Sequence, residues 1–232
     1  MELPTVKTKP IFDMNKYIFT IYGDPKTGKT TLASEFEDTL FIATEPGHKF
    51  VEAFVVQTKS WPEVQEAVRA LLTDKDHKFK TVVFDVVDNA YNWCEDAYCN
   101  KSGIEHVSDA PFGKGYQAAQ KEFKKVIDAL ANRGYGIVFI SHRKTKEKTI
   151  KEGAIERSIT YTATTLGNKA SEVVTGLSDF ILYTHRDSEG NHLMRTKSNE
   201  NFLGGDRSGK LPEVMETSYQ SIVKYLKGRD KV

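Results

Sequence analysis

The stretch Gly23, Asp24, Pro25, Lys26, Thr27, Gly28, Lys29, Thr30 constrains this chain more than any other. Glycines at its first and sixth positions let the backbone wrap an anion with N–H groups pointing inward, where a side chain would block the approach. The Lys29 ammonium then reaches β- and γ-phosphates, the Thr30 hydroxyl ligates a Mg²⁺ ion on the same oxygens, and Thr31 bonds the α-phosphate. Every residue from Gly23 to Thr31 is therefore a candidate nucleotide contact. The flanks agree with this reading. Tyr17 to Tyr22 forms an apolar run of strand type, and the residues up to Phe36 have helical character, so a helix dipole also faces the anion. No N-K-x-D motif of the guanine-reading kind is present, which favours ATP with Mg²⁺ over GTP.

The rest of the chain decides which nucleotide chemistry this is. With 232 residues and ordinary charged and apolar fractions, a single domain over 17–232 with an N-terminal arm over 1–16 is expected. The first residues lack the apolar core of a signal peptide and no run reaches membrane-spanning length, so a cytoplasmic protein (host cytoplasm if phage-encoded) with no membrane partner is expected. The formal net charge of +1 removes any global footprint of a nucleic-acid binder, so such a surface must be local. Cys94 and Cys99 have no second Cys or His pair in zinc-site spacing and read as free thiols.

Strand and helix signals alternate, which implies an α/β fold with a mainly parallel sheet. Strands are expected at Tyr17 to Tyr22, Thr39 to Thr44, Lys80 to Asp88 and Tyr135 to His142. Between them lie two amphipathic helices. One opens on a Ser60/Glu63 capping box and carries Val64, Ala67, Val68, Leu71 and Leu72 on one face; the other runs from Gly115 to Asn132 and closes at Gly134. Near the C-terminus, Asp179 to Arg186 and His192 to Ser198 read as an antiparallel hairpin about Gly190 and Asn191, followed by a short closing helix.

Asp85 ends an apolar strand, where its carboxylate can hold Mg²⁺ through water. The next residue is Val86, and the glutamate usual there in the AAA-plus class is missing, which disfavours that class. Hydrolysis still needs a base to orient water and take its proton. Glu45 is the first candidate, just beyond the Thr39 strand; Asp88, one helical turn past Asp85, is its rival.

The apolar strand ending in Glu45, placed before the Asp85 strand, resembles the RecA-like P-loop ATPases. The nearest resemblance is to the small phage-type annealing ATPases of the Sak class, on "SDFILYTHR", "RTKSN" and "GGDRSGKLPE". It implies a RecA-like P-loop core with a C-terminal antiparallel hairpin. It further implies that His142 is a sensor of the γ-phosphate and that Arg195 and Lys197, two apart on a strand, are fingers reaching a neighbouring protomer's nucleotide. Val86 stands where recombinases commonly have Ser or Thr, and their added terminal regions are missing, departures that count against strand exchange.

In such proteins the segment after the sensor strand is a mobile DNA loop. Here it spans residues 143–169 and carries Arg143, Lys144, Lys146, Lys148, Lys151 and Arg157, enough to neutralise phosphates locally, with Tyr161 able to stack on a base. A second candidate loop, residues 88–115, contains Tyr91, Trp93 and Tyr98, aromatic residues that at a helix start are more often core. The expected partners are single-stranded DNA, further copies of the chain in a ring or filament, and a single-stranded-DNA-binding protein. Two other readings stand beside this one: an ATP-controlled adaptor or loader of phage replication, and a small-molecule kinase using the basic segment as a lid.

Overall fold

The structure, a computed structural model, describes residues 3, 5–7, 12–152 and 155–228, with the side chains of 151, 152 and 155 outside that description. After a 3-10 turn at Met14–Lys16, β1 (Ile18–Gly23) runs into the phosphate loop and α1 (Lys29–Ser34). There follow β2 (Thr39–Ala43), β3 (Phe54–Gln57), α2 (Trp61–Thr73), β4 (Thr81–Asp85), α3 (Val87–Ser102), α4 (Lys114–Arg133), β5 (Gly136–Glu152) and β6 (Ile155–Thr164). The C-terminal part comprises α5 (Asn168–Leu177), β7 (Phe180–Arg186), β8 (His192–Arg195), β9 (Gly205–Asp206), β10 (Val214–Glu216) and α6 (Tyr219–Lys227).

The main sheet has the order β10-β8-β7-β1-β5-β4-β2-β3. Every pairing from β7 through β3 is parallel, whereas β8, β9 and β10 join antiparallel at the C-terminal end. This is the α/β architecture of a P-loop NTPase, a mainly parallel sheet covered on both faces. The apolar runs explain it. Along β5, Ile137 and Phe139 join a core beneath α2 to α5, while Val138 and Ile140 join a second core beneath α1 and α6. A strand buried on both sides has no need of polar alternation. Because β5 lies between β1 and β4, the phosphate-loop strand and the aspartate strand do not touch. Their C-terminal ends nevertheless share one edge, with Gly23 beside His142 and Asp85 beside Ile140. That edge is where open α/β sheets collect a site.

Four expectations need correction. Residues 143–164 are not a mobile loop but an antiparallel ribbon, β5 against β6, paired from Arg143↔Thr164 to Glu152↔Ile155. The resemblance implied a mobile loop, yet Thr145, Thr149, Ile150, Ile159, Tyr161 and Thr162 are strand formers. Residues 88–102, assigned to a second loop, belong to α3, with Tyr91 buried in the core and Trp93 packed against it. The Ser60 side chain makes no cap bond, and Glu63 instead accepts from the Lys59 backbone N–H at 2.8 Å. Finally, β8 stops at Arg195, so Lys197 lies beyond the strand, in a turn packed against Gly204. The short strands β3, β9 and β10 and the helix α5 were not foreseen. Cys94 and Cys99 are free, buried thiols on α3. Among the described residues no helix is long and apolar enough to cross a membrane.

Candidate active site

The phosphate loop is built from the end of β1 upward. Gly23 is required by close approach, since a Cβ there would stand 2.3 Å from the Thr184 carbonyl oxygen at the end of β7. Thr27 Oγ1 lies 2.8 Å from Thr184 Oγ1 and donates to the Asp24 carbonyl, tying the loop to β7 and to itself. Arg186 donates to the Lys26 carbonyl at 3.0 Å. Gly28, at φ +88°, takes the left-handed conformation that opens α1. Lys29 is buried and donates to the Gly23 and Asp24 carbonyls at 3.1 and 2.7 Å. Burial pushes its pKa down, against the opposing charges of Asp85, Asp24 and Glu45.

The first hydroxyl of α1 meets the end of β4: Thr30 Oγ1 donates to Asp85 Oδ2 at 3.1 Å. Asp85 is 5 % exposed, and burial raises its pKa, the Thr30 bond opposing and the Glu45 charge reinforcing the shift. A hydroxyl and a carboxylate side by side, both hard oxygen donors beside the phosphate loop, fit Mg²⁺. The turn after β2 closes over them, with the Cβ position of Gly47 3.8 Å from Asp85 Oδ2.

Glu45 sits in that same turn and is held at both oxygens. Asn89 Nδ2 donates to Oε1 at 3.2 Å, and His142 Nε2 lies 3.5 Å from Oε2. Thr44 fixes the turn: its hydroxyl accepts from the Val86 N–H at 2.9 Å and donates to the Val86 carbonyl at 3.0 Å. The rival base, Asp88, is engaged elsewhere. It accepts from Thr165 Oγ1 at 2.7 Å, just past β6, and burial raises its pKa. The structure therefore gathers Lys29, Thr30, Asp85, Glu45 and His142 on one rim. Sequence reasoning missed Asn89, Thr44 and Thr165. Asn89 had one legible signal, its place four residues after the strand-end Asp85, in the first turn of the helix that follows.

The family model described as an AAA domain matches residues 15–208. The chain belongs to this AAA-domain family. No curated protein matches it. Membership points to a P-loop ATPase domain and, with it, to nucleotide binding. Val86 thus did not keep the chain out of an AAA-described family.

The other site residues of this AAA-domain chain are dispersed. On the ribbon, alternation puts Lys144, Lys146, Lys148 and Arg157 on one face together with Tyr161, and Arg143 on the opposite face. Lys148 Nζ stands 4.8 Å over the Tyr161 ring. Lys146 is half-buried, donates to the Leu166 carbonyl at 2.8 Å, and has its pKa lowered by burial. Arg157 pairs with Glu200 at 2.9 Å. The side chain of Lys151 lies outside the described residues. Arg143 turns back to the phosphate loop, its Nε 2.6 Å from Asp24 Oδ1. Arg195 lies over the Phe202 ring and 3.4 Å from Glu213, while Lys197 is exposed.

Proposed function

We propose that the protein is a DNA-dependent ATPase that binds single-stranded DNA and assists recombination or annealing, hydrolysing ATP between protomers. One observation carries the reading: the strand that brings His142 to Glu45 continues without a break into the ribbon that carries the lysines. Any load on the ribbon therefore acts on the rim of the site through a single stiff element.

In this mechanism the loop amides from Gly23 to Thr31 hold the ATP phosphates, and Lys29 exchanges its two backbone carbonyls for phosphate oxygens. Thr30 and Asp85 would hold Mg²⁺, which would supply charge neutralisation on those oxygens. Glu45 orients the attacking water and accepts its proton. Asn89 and His142 set the direction of the Glu45 carboxylate, and His142 reports the γ-phosphate to the ribbon. Arg195 and Lys197 of a neighbouring protomer stabilise the charge that develops in the transition state.

The test is steady-state ATP hydrolysis over a range of protein concentrations, with and without single-stranded DNA, with Lys29→Ala as the blank. Stimulation by DNA, specific activity that climbs with concentration, and loss of both in Arg195→Ala support the proposal. Activity independent of both sinks it, and a phosphorylated small-molecule product or stimulation by a replication protein alone replaces it with the kinase or the adaptor.

A further inference from the structure

Among the described side chains, Arg143 is the cation of the basic segment that does not share the lysine face of the ribbon, and its partner is unusual. Asp24 is the second residue of the phosphate loop, so its carboxylate stands beside the place where a polyanion must bind. The loop's carbonyls at Gly23 and Asp24 already hold Lys29, and the buried Asp85 carboxylate lies on the same rim. A further negative charge there opposes a triphosphate. Arg143 Nε meets Asp24 Oδ1 at 2.6 Å, and the Tyr183 ring lies near both groups. The two side chains are 38 % and 47 % exposed. An ion pair so exposed contributes little to folding stability, so its significance lies in the field at the loop.

We infer that Arg143 is a positioning residue of the nucleotide site, which neutralises Asp24 and so permits the phosphate loop to accept a triphosphate. The inference rests on the nucleotide-binding reading and adds to it a role for a residue that its charge alone would assign to nucleic acid. Since Arg143 directly follows His142 on β5, the root of the ribbon then grips the site at the phosphate loop as well as at Glu45.

The test is a double-mutant cycle on the full chain, read by calorimetric titration with a slowly hydrolysed ATP analogue and Mg²⁺ at low salt. Arg143→Ala weakens binding about fivefold, the scale of one unscreened carboxylate near a triphosphate at the protein surface. Asp24→Asn binds about threefold more tightly than the wild type, because Arg143 is left as an unpaired cation beside the phosphates. The double variant returns to within about twofold of the wild type, and all differences shrink as salt rises. Two results overturn the inference: Arg143→Ala binding as the wild type does, or the double variant remaining as weak as Arg143→Ala, which would make Arg143 a direct phosphate ligand. A wild-type chain that binds no better than Lys29→Ala overturns the nucleotide-binding reading itself and this inference with it.

Discussion

The two halves of β5, Gly136 to Ser141 and Arg143 to Glu152, belong to one strand held in opposite ways. The first half lies between β1 and β4, with Ile137, Val138, Phe139, Ile140 and Ser141 all fully buried. Side-chain packing on two faces and two ladders of backbone bonds fix it. The second half pairs only with β6, and its residues from Arg143 onward are exposed or half-exposed where described. A lone two-stranded ribbon is marginal in water, so its order depends on how its root is tied. Thr162 pairs with the Phe202 segment, Lys146 donates to the Leu166 carbonyl, and Thr165 bonds Asp88. The strand is thus fixed by packing on two faces at one end, while its outer half is held by β6 and by side-chain ties such as Arg157 to Glu200 at 2.9 Å.

The largest effect that tests this division is on chemistry at the fixed end. Lys29→Ala lowers ATP turnover about 10³-fold, as removal of a preorganised cation from a charge-developing site does. Its circular dichroism spectrum stays that of the wild type; a lost spectrum would mean that the buried amine holds the fold and not the nucleotide. Next comes packing. Phe139→Ala, in the first half of β5, destabilises by about 3–5 kcal/mol in urea, whereas Lys148→Ala in the second half changes stability by no more than about 0.5 kcal/mol. Similar costs for the two would erase the contrast between the halves.

Glu45→Gln lowers kcat about 10²-fold with the affinity for ATP within about twofold of the wild type, the pattern of a lost general base. If Asp88→Asn has that effect and Glu45→Gln does not, the base has been misassigned between the two carboxylates. The smallest effect is at the ribbon. On the proposed function, replacing Lys144 and Lys148 by Ala reduces the salt slope of single-stranded DNA binding by about 1.4, roughly 0.7 for each cation lost. An unchanged slope would leave the lysine face a solvated surface.

Much of the fixed end was legible from residues 17–142 because its signals are local. The glycine spacing, apolar runs buried on both faces and a carboxylate at a strand end each follow from a few neighbouring residues. The ribbon was misjudged because the resemblance implies a loop there, and the strand propensity of the segment shows only once β5 pairs with β6. Helix α3 was misjudged for a related reason. Its aromatic and polar residues mix without a clean apolar stripe, and Tyr91 finds its place only once Phe123 of α4 lies against it.

The sequence by itself determined the phosphate loop, the parallel order of strand and helix, and the positions of Lys29, Thr30, Asp85 and Glu45. These depend on backbone freedom at glycine and on the period of apolar residues, both short-range properties. Only the tertiary structure decided that Asn89 and His142 meet Glu45, that Thr165 takes Asp88, and that Arg143 faces Asp24 across 119 residues of chain. Such contacts join strand ends that are neighbours in the sheet and distant along the chain, and no local pattern encodes which side chain will stand opposite which.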